Sequence, residues 1–358
     1  MPNIVKYTLS LLALATAIQC SRPQSQVQFP ETVNLPSSIK TEAVSLKATQ
    51  VVSGDDYIAA KEMWVYKDSI LVVLNKPVKD GFFLELANLC TKEKYGSFIH
   101  YGNGPAEMLN VNAVLNNGRM LVRDFAKYQI ARFDVDSALA NISYVCTPIR
   151  FSNNAGSPFV NFLDDNRLIM LNTYYFENPE MKISNGESRF IVGDAGSKFT
   201  LLSEGSKKYY SYNVEQGDII VNNEEDRVIY ASLFSPRVEI YDCQLTPLKL
   251  LTGPDDMDIR YAIEDGSVCF YDIPYAYMGS AEDEDGFYLL YIGEFLGDED
   301  YQKMQSYIFK FDWDGNVLKS YHCGQYLNSI SISSEDDVFY CSGHDEDGSN
   351  VLFKLTKN

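Results

Sequence analysis

Histidine and tryptophan are scarce in this sequence, which has 358 residues but only 3 His and 2 Trp. Zinc hydrolases and Ser–His–Asp catalysis need a neutral imidazole at the reacting centre. His100, His322 and His344 are far apart, and the first two occupy equivalent strand-end positions, which indicates a structural role. No Gly-x-Ser-x-Gly elbow occurs, and the 49 acidic residues mark out no pair for glycoside cleavage. We therefore predict no catalytic residue and expect a role other than catalysis.

Positive charge is also in the minority. The chain has 30 Lys and Arg against 49 Asp and Glu, a net charge of −19. Lys6 is the only charged residue before Cys20, so a chain beginning at Cys20 carries 29 − 49 = −20. Such a surface repels phosphate backbones and anionic lipid headgroups. Nucleic acid is thereby excluded as an expected partner.

Long apolar runs are limited to one, at residues 7–18, directly after Lys6. Its length is typical of a signal-peptide core and too short for a membrane-spanning helix. The run ends at Ala17-Ile18-Gln19-Cys20 and a polar segment follows, so it resembles a bacterial lipoprotein signal in which Cys20 is acylated. Gln19 departs from that pattern, which has a small residue before the Cys. A secretory peptide cleaved nearby is the alternative.

Six further cysteines are spread about one per repeat, without the clustering of a zinc site or a disulfide scaffold. They are Cys90, Cys146, Cys243, Cys269, Cys323 and Cys341. Several lie among apolar strand residues, so we interpret them as buried free thiols. Cys323 and Cys341 form the pair to test first for a disulfide.

Internal repetition predicts an all-β fold. Short apolar runs recur six times, each after a turn of Asn, Asp or Gly residues that tolerate positive φ. The predicted third strands of the six units are residues 82–86, 130–134, 189–192, 238–242, 307–312 and 351–355. The predicted second strands are residues 70–74, 120–123, 168–172, 228–231, 287–292 and 338–341.

Fourth strands follow in the first five units, near Phe98 and at residues 143–146, 200–202, 248–251 and 318–321. The sixth unit ends after three strands, whereas an unassigned alternating segment, residues 42–52, precedes the first unit. The economical arrangement is a six-bladed β-propeller whose last blade is closed by this N-terminal strand, which removes exposed edges. The predicted organisation is a signal peptide at 1–19, a lipid-anchored flexible tether at 20–38 and the propeller domain at 39–358.

The junction between the first two units is Gly102-Asn103-Gly104-Pro105-Ala106-Glu107, and Gly156-Ser157-Pro158 and Gly253-Pro254 lie at two others. The first motif resembles the G-x-G-P-x-E junction of TolB-like six-bladed propeller lipoproteins, over about residues 40–358. The resemblance implies export and a propeller and carries over no catalytic residue. A phosphate cradle at Gly102 is disfavoured because strand residues, not a helix, follow it.

Three acidic stretches, at residues 282–286, 312–316 and 345–348, suggest calcium loops. None has the twelve-residue pattern of alternating oxygen ligands that ends in a bidentate Glu. We interpret the first two as hairpin turns, and residues 345–347 have the best claim to a cation. No metal site and no cofactor is predicted.

Propeller geometry separates two faces. The loop face is formed by the loops that connect second to third strands and by the loops between blades. The hairpin face is formed by the hairpins that connect first to second strands. The larger predicted loops are residues 75–81, 124–129, 173–188, 232–237, 293–306 and 342–350, rich in Tyr, Phe and Asn. Such side chains make adaptable contact surfaces, although packing over the ring is an equally good interpretation. The predicted ligand contacts are Arg123, Asn172, Tyr174, Arg237 and His344.

These features predict a lipid-anchored binding or scaffold module in the cell envelope of a Gram-negative bacterium, facing the periplasm or the outer surface. The expected partner is a peptide, a glycan fragment or an envelope protein, with membrane contact only through the N-terminal lipid. One alternative is a metal-assisted lactonase or hydrolase with carboxylates and amides at the propeller axis. Another is a purely structural envelope subunit.

Overall fold

The computed structural model describes residues 28–124, 126–127, 129–141, 143–151, 160–164, 167–171, 190–194, 198–201, 216–257, 260–264, 267–295 and 303–357. Within these ranges strands dominate. The N-terminal segment contributes strand β1 (Glu31–Asn34), a one-turn helix α1 (Ser38–Thr41) and strand β2 (Val44–Val52). The remaining strands are arranged mainly as six units of antiparallel strands that follow one another along the chain.

The first three units have four strands each. The first contains β3 (Ala60–Tyr66), β4 (Ile70–Asn75), β5 (Phe82–Asn88) and β6 (Lys94–His100). The second contains β7 (Val111–Asn116), β8 (Arg119–Asp124), β9 (Gln129–Asp134) and, after helix α2 (Val135–Ala140), β10 (Ile149–Phe151). The third contains β11 (Val160–Phe162), β12 (Arg167–Leu171), β13 (Phe190–Asp194) and β14 (Lys198–Leu201).

The fourth unit contains β15 (Gly217–Asn222), β16 (Arg227–Ser232), β17 (Arg237–Tyr241) and β18 (Pro247–Thr252). A separate hairpin of β19 (Arg260–Glu264) and β20 (Ser267–Asp272) follows. The fifth unit contains β21 (Pro274–Glu282), β22 (Gly286–Phe295), β23 (Tyr307–Asp312) and β24 (Val317–His322). The last contains β25 (Ser331–Ile332), β26 (Phe339–His344) and β27 (Asn350–Lys357).

Strand β2 is the fourth strand of the last unit. It pairs antiparallel with β27, from Leu46 opposite Lys357 to Val52 opposite Leu352. This is the position at which the sequence analysis places residues 42–52. Strand β1 adds parallel to β18 as a fifth strand of the fourth unit, so the N-terminal segment runs along the outer edges of three units.

The arrangement of the units follows from their apolar clusters. Separate clusters lie between the first and second, second and third, third and fourth, fourth and fifth, and fifth and sixth units. A further cluster joins Val52 and Leu352 of the last unit to Met63 and Leu71 of the first. Each blade therefore packs on two neighbours around a ring. Second strands are buried on both faces by this packing, which explains their continuous apolar sequences, such as residues 70–74.

The turns between first and second strands have the backbone that their residues predict. Lys67 and Asp68 have φ of 49° and 54°, and Asn117 and Gly118 have φ of 45° and 76°. Left-handed conformations of this kind are needed in two-residue hairpins. The turn at Gly118 is also tight, because an added Cβ would lie 2.5 Å from the ring of Tyr66.

The fourth strand of the second unit is displaced from its predicted position at residues 143–146. Asp134 accepts a hydrogen bond from the Ser137 amide at 2.7 Å and starts helix α2. The helix takes up residues after β9, so the fourth strand is β10, Ile149–Phe151. Tyr144 and Cys146 instead pack against the core between the first two units.

Five cysteines among the described residues are free thiols: Cys90, Cys146, Cys243, Cys323 and Cys341. Cys323 and Cys341 are buried in the same cluster, between the fifth and sixth units, and are not bonded to each other. Burial raises the pKa of both thiols well above the ordinary value, so they act as small apolar side chains.

Candidate functional site

The first strand of each blade faces the centre of the ring, and polar side chains link neighbouring blades there. These bonds are Lys61 Nζ to Val111 O at 3.1 Å, Arg123 Nη2 to Val160 O at 3.1 Å, Asn161 Nδ2 to Ile219 O at 2.7 Å, Ser280 Oγ to Asp218 Oδ2 at 2.9 Å, and Ser329 Oγ to Met63 O at 3.0 Å. Apolar side chains fill the spaces between blades. The centre is therefore the place where buried polar groups gather.

A cavity of about 640 Å³ is lined by residues of the second, third and fourth blades and by Glu282 of the fifth. Its polar lining consists of Asn116, Asn117, Asn161, Asn223, Arg119, Arg123, Arg132, Asp164, Asp218 and Glu282. Asn117, Asp164, Asn223 and Glu282 lie at first-to-second-strand turns. The cavity therefore extends to the hairpin face. Its size is that of a typical small-molecule site.

Arg123 forms the inner end of the cavity. It lies near the end of β8 and is only 8% exposed. Its Nη2 donates a hydrogen bond to Val160 O. Its Nε is buried without a hydrogen-bond partner. A buried guanidinium nitrogen without an acceptor is costly. The Nε atom itself is fully buried, so this unpaired donor lies beneath the wall of the cavity.

Two carboxylates compensate the charge of Arg123. Burial lowers the pKa of Arg123 to about 10, and Asp218 and Glu62 oppose that effect. Burial also raises the pKa of Asp218, although Ser280 and Arg123 counteract the increase. The pKa of Glu62 rises to about 7 because of burial. Charges of both signs therefore influence one another at this position, where Arg123 is buried and the two carboxylates are partly buried.

Glu282 and Asn117 contact each other at the hairpin-face end of the cavity. Asn117 Nδ2 donates to Glu282 Oε1 at 3.2 Å, which joins the second blade to the fifth, on the opposite side of the ring. The other oxygen, Oε2, is buried without a hydrogen-bond partner. Burial raises the pKa of Glu282 to about 7. The Asn116 side chain also hydrogen-bonds Glu282 and opposes the increase in its pKa.

The structure places the predicted contact residues in three different environments. Arg123 lines the cavity. Arg237 Nε donates to the fully buried Glu239 at 2.6 Å within the fourth blade. His344 ends β26 and stacks on Tyr326, with ring centroids 6.2 Å apart. Asn172 and Tyr174 lie outside the described residues.

Glu62, Asp218 and Glu282 were not predicted as site residues, because the sequence analysis placed the contacts in loops and these residues lie on first strands. The sequence does contain a pattern that indicates these residues. Polar residues interrupt otherwise apolar first strands at Lys61-Glu62, Asn112, Asn161, Asp218 and Ser280. Buried polar residues of this kind require partners or a function.

The acidic turns bind their own backbone. Asp283 accepts from Asp285 N at 2.9 Å, Asp312 from Asp314 N at 3.0 Å, and Asp345 from Asp347 N at 3.1 Å. These bonds are those of Asx turns. No group of three or more His, Cys, Asp or Glu suited to a metal ion occurs in the described part of the chain.

The junction at residues 102–107 is closed by Glu107. Its carboxylate accepts from Gly104 N at 2.6 Å and lies 3.4 Å from His100 Nδ1. Lys127 Nζ donates to Gly104 O at 2.7 Å and to Glu107 O at 2.6 Å. A Cβ at Gly102 would lie 2.2 Å from Glu107 Oε2, so a side chain there would displace the Glu107 carboxylate. The motif connects blades and leads into β7 rather than into a helix.

Comparison with known proteins agrees with this architecture. A family model described as "TolB-like 6-blade propeller-like" matches residues 42–335, so the chain belongs to that family, as the resemblance of residues 102–107 implied. None of the curated proteins matches the sequence.

Solved structures resemble the chain in fold. A member of the DUF4221 family from Bacteroides vulgatus is 10% identical, with a TM-score of 0.50, over 88% of this chain and 98% of its own. A candidate exported protein of Bacteroides fragilis is 14% identical, with a TM-score of 0.49, over 91% and 99%. The match to the family model and the arrangement of strands confirm the all-β propeller assignment. In the described ranges no helix is long and apolar enough to cross a membrane.

Proposed function

We propose that this protein is a lipid-anchored binding protein of the cell envelope that holds a small polar ligand in its central cavity. Support for the location comes from the sequence, in which Lys6, the apolar run at 7–18 and Cys20 have the order of a lipoprotein signal. Support for binding comes from the cavity. The predicted contacts on the loop face remain part of the proposal, as a second surface that binds a larger partner such as a peptide or an envelope protein.

The observation that carries the binding role is the 640 Å³ cavity, whose wall includes the guanidinium of Arg123 and the carboxylates of Asp218 and Glu282. A cavity of this size with a few convergent polar groups is typical of a small-molecule site. The metal-assisted hydrolase alternative gains no support from the described residues, which bring no three metal-ligating side chains together.

Ligand binding is tested by thermal unfolding of the full-length protein, purified from membranes in detergent, against sugars, peptides and nucleosides. A ligand of the native state raises the melting temperature with concentration. Arg123→Lys keeps the charge but removes the planar donor group, so it should abolish the response. Arg227→Lys is the matched control because Arg227 binds Asp314 outside the cavity. A response that survives Arg123→Lys unchanged, or no response to any compound, contradicts the proposal.

Anchoring is tested separately by labelling cells with a palmitate analogue. The wild-type chain should carry label and sediment with membranes. Cys20→Ser should carry none. Label retained by Cys20→Ser, or absent from the wild type, refutes acylation at Cys20 and leaves the cavity assignment unaffected.

A further inference from the structure

Three arginines of the second blade lie on one side of its sheet and line the cavity. Arg119, Leu121 and Arg123 alternate along β8, so their side chains share one face. Leu121 belongs to the cluster between the second and third blades, so this face is turned towards the third blade. Arg132 pairs directly with Leu121 across β8 and β9 and therefore lies on the same face. Arg119, Arg123 and Arg132 together form an arginine wall on the second blade.

The third blade holds two of these side chains in place. Arg123 Nη2 donates to Val160 O at 3.1 Å, and Arg132 Cζ lies 3.7 Å from the centroid of the Phe162 ring. A guanidinium stacked on a ring keeps its N–H groups in its own plane, where they pair with carboxylate or phosphate oxygens. Arg119 is instead exposed at the start of β8, next to the hairpin-face turn. Its side chain forms no hydrogen bond or ion pair with the described residues.

The carboxylates that line the cavity lie on other blades and have partners of their own. These contacts are Asp164 with Arg167 Nε at 2.6 Å, Asp218 Oδ2 with Ser280 Oγ at 2.9 Å, and Glu282 with the side chains of Asn116 and Asn117. None of the partners in these contacts belongs to the arginine wall. Asp218 and Glu62 act on Arg123, whereas no carboxylate in the described part of the chain lies within ion-pair distance of Arg119. The outer end of the wall therefore has a positive charge that a ligand can neutralise.

Positive charge remains in excess around the cavity when neighbouring groups are counted. Glu62 acts on Arg123 and Asp218 and is itself acted on by Lys61. With these groups and Arg167, five cations face four carboxylates among the described residues: Arg119, Arg123, Arg132, Arg167 and Lys61 against Asp164, Asp218, Glu62 and Glu282. Burial raises the pKa of Glu62 and of Glu282 to about 7. The excess of positive charge therefore grows as the pH falls below 7.

The net charge of −19 over the whole chain does not oppose a small anion at this position. That charge is spread over the surface, and physiological salt screens exposed charges beyond about 8 Å. A bound anion, by contrast, meets the guanidinium groups directly. A long polyanion would extend out of the cavity and meet the acidic surface. These conditions select an anion small enough to be enclosed by the cavity of about 640 Å³.

We infer that the ligand is a small organic anion whose carboxylate or phosphate group binds the arginine wall, with Arg119 as its contact at the hairpin-face end. This inference rests on the proposed function and specifies its ligand class. Guanidinium groups bind carboxylates and phosphates through two parallel N–H donors, which gives both affinity and orientation. The uncharged part of the ligand lies against the amides and apolar side chains of the remaining wall, such as Asn161, Asn223 and Val221.

The test is calorimetric titration of the full-length protein in an uncharged detergent at pH 6, where the excess of positive charge is larger than at neutral pH. The probes are matched sets that share a frame and differ in charge. They are glucose, glucosamine, glucuronate and glucose 6-phosphate; succinamide and succinate; and uridine and uridine 5′-monophosphate. At least one anion should bind, and its neutral counterpart should bind at least tenfold more weakly. Glucuronate against glucose 6-phosphate distinguishes a carboxylate from a phosphate as the recognised group.

Arg119→Gln should weaken binding of that anion about tenfold, the effect of losing one hydrogen bond to a charged group. The exposed position of Arg119 leaves the core of the variant intact. Arg227→Gln is the matched control. Arg227 is the first residue of β16, as Arg119 is of β8, but it binds Asp314 and does not line the cavity. Its affinity for the anion should equal that of the wild type.

Binding of a neutral or cationic probe at least as tightly as its anionic counterpart overturns the inference. The proposed function then stays intact, provided that Arg123→Lys removes that binding. An anion that binds Arg119→Gln as tightly as the wild type also overturns the inference, because its acidic group then lies elsewhere. If no probe binds, the inference and the proposed function are both overturned.

Discussion

Leu46→Ala tests whether the N-terminal strand holds the last blade closed. Leu46 lies on β2 opposite Lys357, is 7% exposed and belongs to the cluster that contains Leu355 and Phe339. Truncation of a core leucine costs about 2–5 kcal/mol. β2 is an outer strand, so the structure around it can partly fill the space left by the leucine side chain. We therefore expect the free energy of unfolding to fall by about 2–3 kcal/mol.

The corresponding change in melting temperature is small for a ring of this size. At about 2.1 cal/mol/K per residue, roughly 330 described and intervening residues give an unfolding entropy of about 0.7 kcal/mol/K. A loss of 2–3 kcal/mol then lowers the melting temperature by about 3–4 °C. Urea unfolding resolves the same loss as a lower midpoint with an unchanged slope.

Tryptophan fluorescence provides the assay, since the chain has 2 Trp. Trp64 lies in the first blade and Trp313 follows the third strand of the fifth, and both are 5% exposed. Each is observed alone after the other is replaced by Phe. We expect Leu46→Ala to shift both midpoints equally, because each blade packs on two neighbours and the ring unfolds as one unit.

Lys47→Ala is the control, because Lys47 is the next residue on the strand and is exposed. Its effect should stay within about 0.5 kcal/mol. An unchanged midpoint in Leu46→Ala would show that β2 does not stabilise the last blade, and the reasoning about ring closure would be refuted. A shift seen by one tryptophan but not the other would contradict cooperative unfolding.

Three further predictions concern charged and backbone positions. Asp337→Asn should destabilise the fold by about 2 kcal/mol at pH 7, since Asp337 accepts bonds from Lys319, Tyr321 and Lys357. These bonds lower the pKa of Asp337. The difference in free energy of unfolding between wild type and variant, measured by urea unfolding, should therefore be constant above about pH 4 and decrease as the pH falls further. Gly102→Ala should lower the melting temperature, because the new Cβ meets the Glu107 carboxylate; a melting temperature equal to that of the wild type would contradict the role assigned to the junction. Burial raises the pKa of Glu282 from its ordinary value of 4.5 to about 7, so its contribution to stability should decline as the pH rises from about 4.5 through 7. Glu282→Gln should remove that decline in melts across this range, and an unchanged pH profile would refute the burial argument.

The sequence predicted the propeller well because blades are built from local patterns. Hairpin turns such as Asn117-Gly118 and apolar second strands such as residues 70–74 depend only on neighbouring residues. The displaced fourth strand at residues 143–146 shows the limit of this reasoning. There the capping bond from Ser137 to Asp134 produced a short helix that apolar spacing does not reveal.

The candidate site was predicted only in part. Arg123 was predicted as a contact of the loop face, whereas it lines a cavity that extends to the hairpin face. Glu282 was interpreted as the start of an acidic turn, whereas its carboxylate lines the cavity. Its partner Asn117 is 165 residues away in the chain, and no local pattern indicates such a contact.

The sequence by itself determined the repeat, the order of strands and the excess of negative charge, because each depends on residue type and short-range spacing. Tertiary structure alone decided which polar side chains face one another across the ring. Side chains of opposite blades meet only after all six blades have packed, and burial then gives Glu62, Asp218 and Glu282 pKa values that isolated strands would not have.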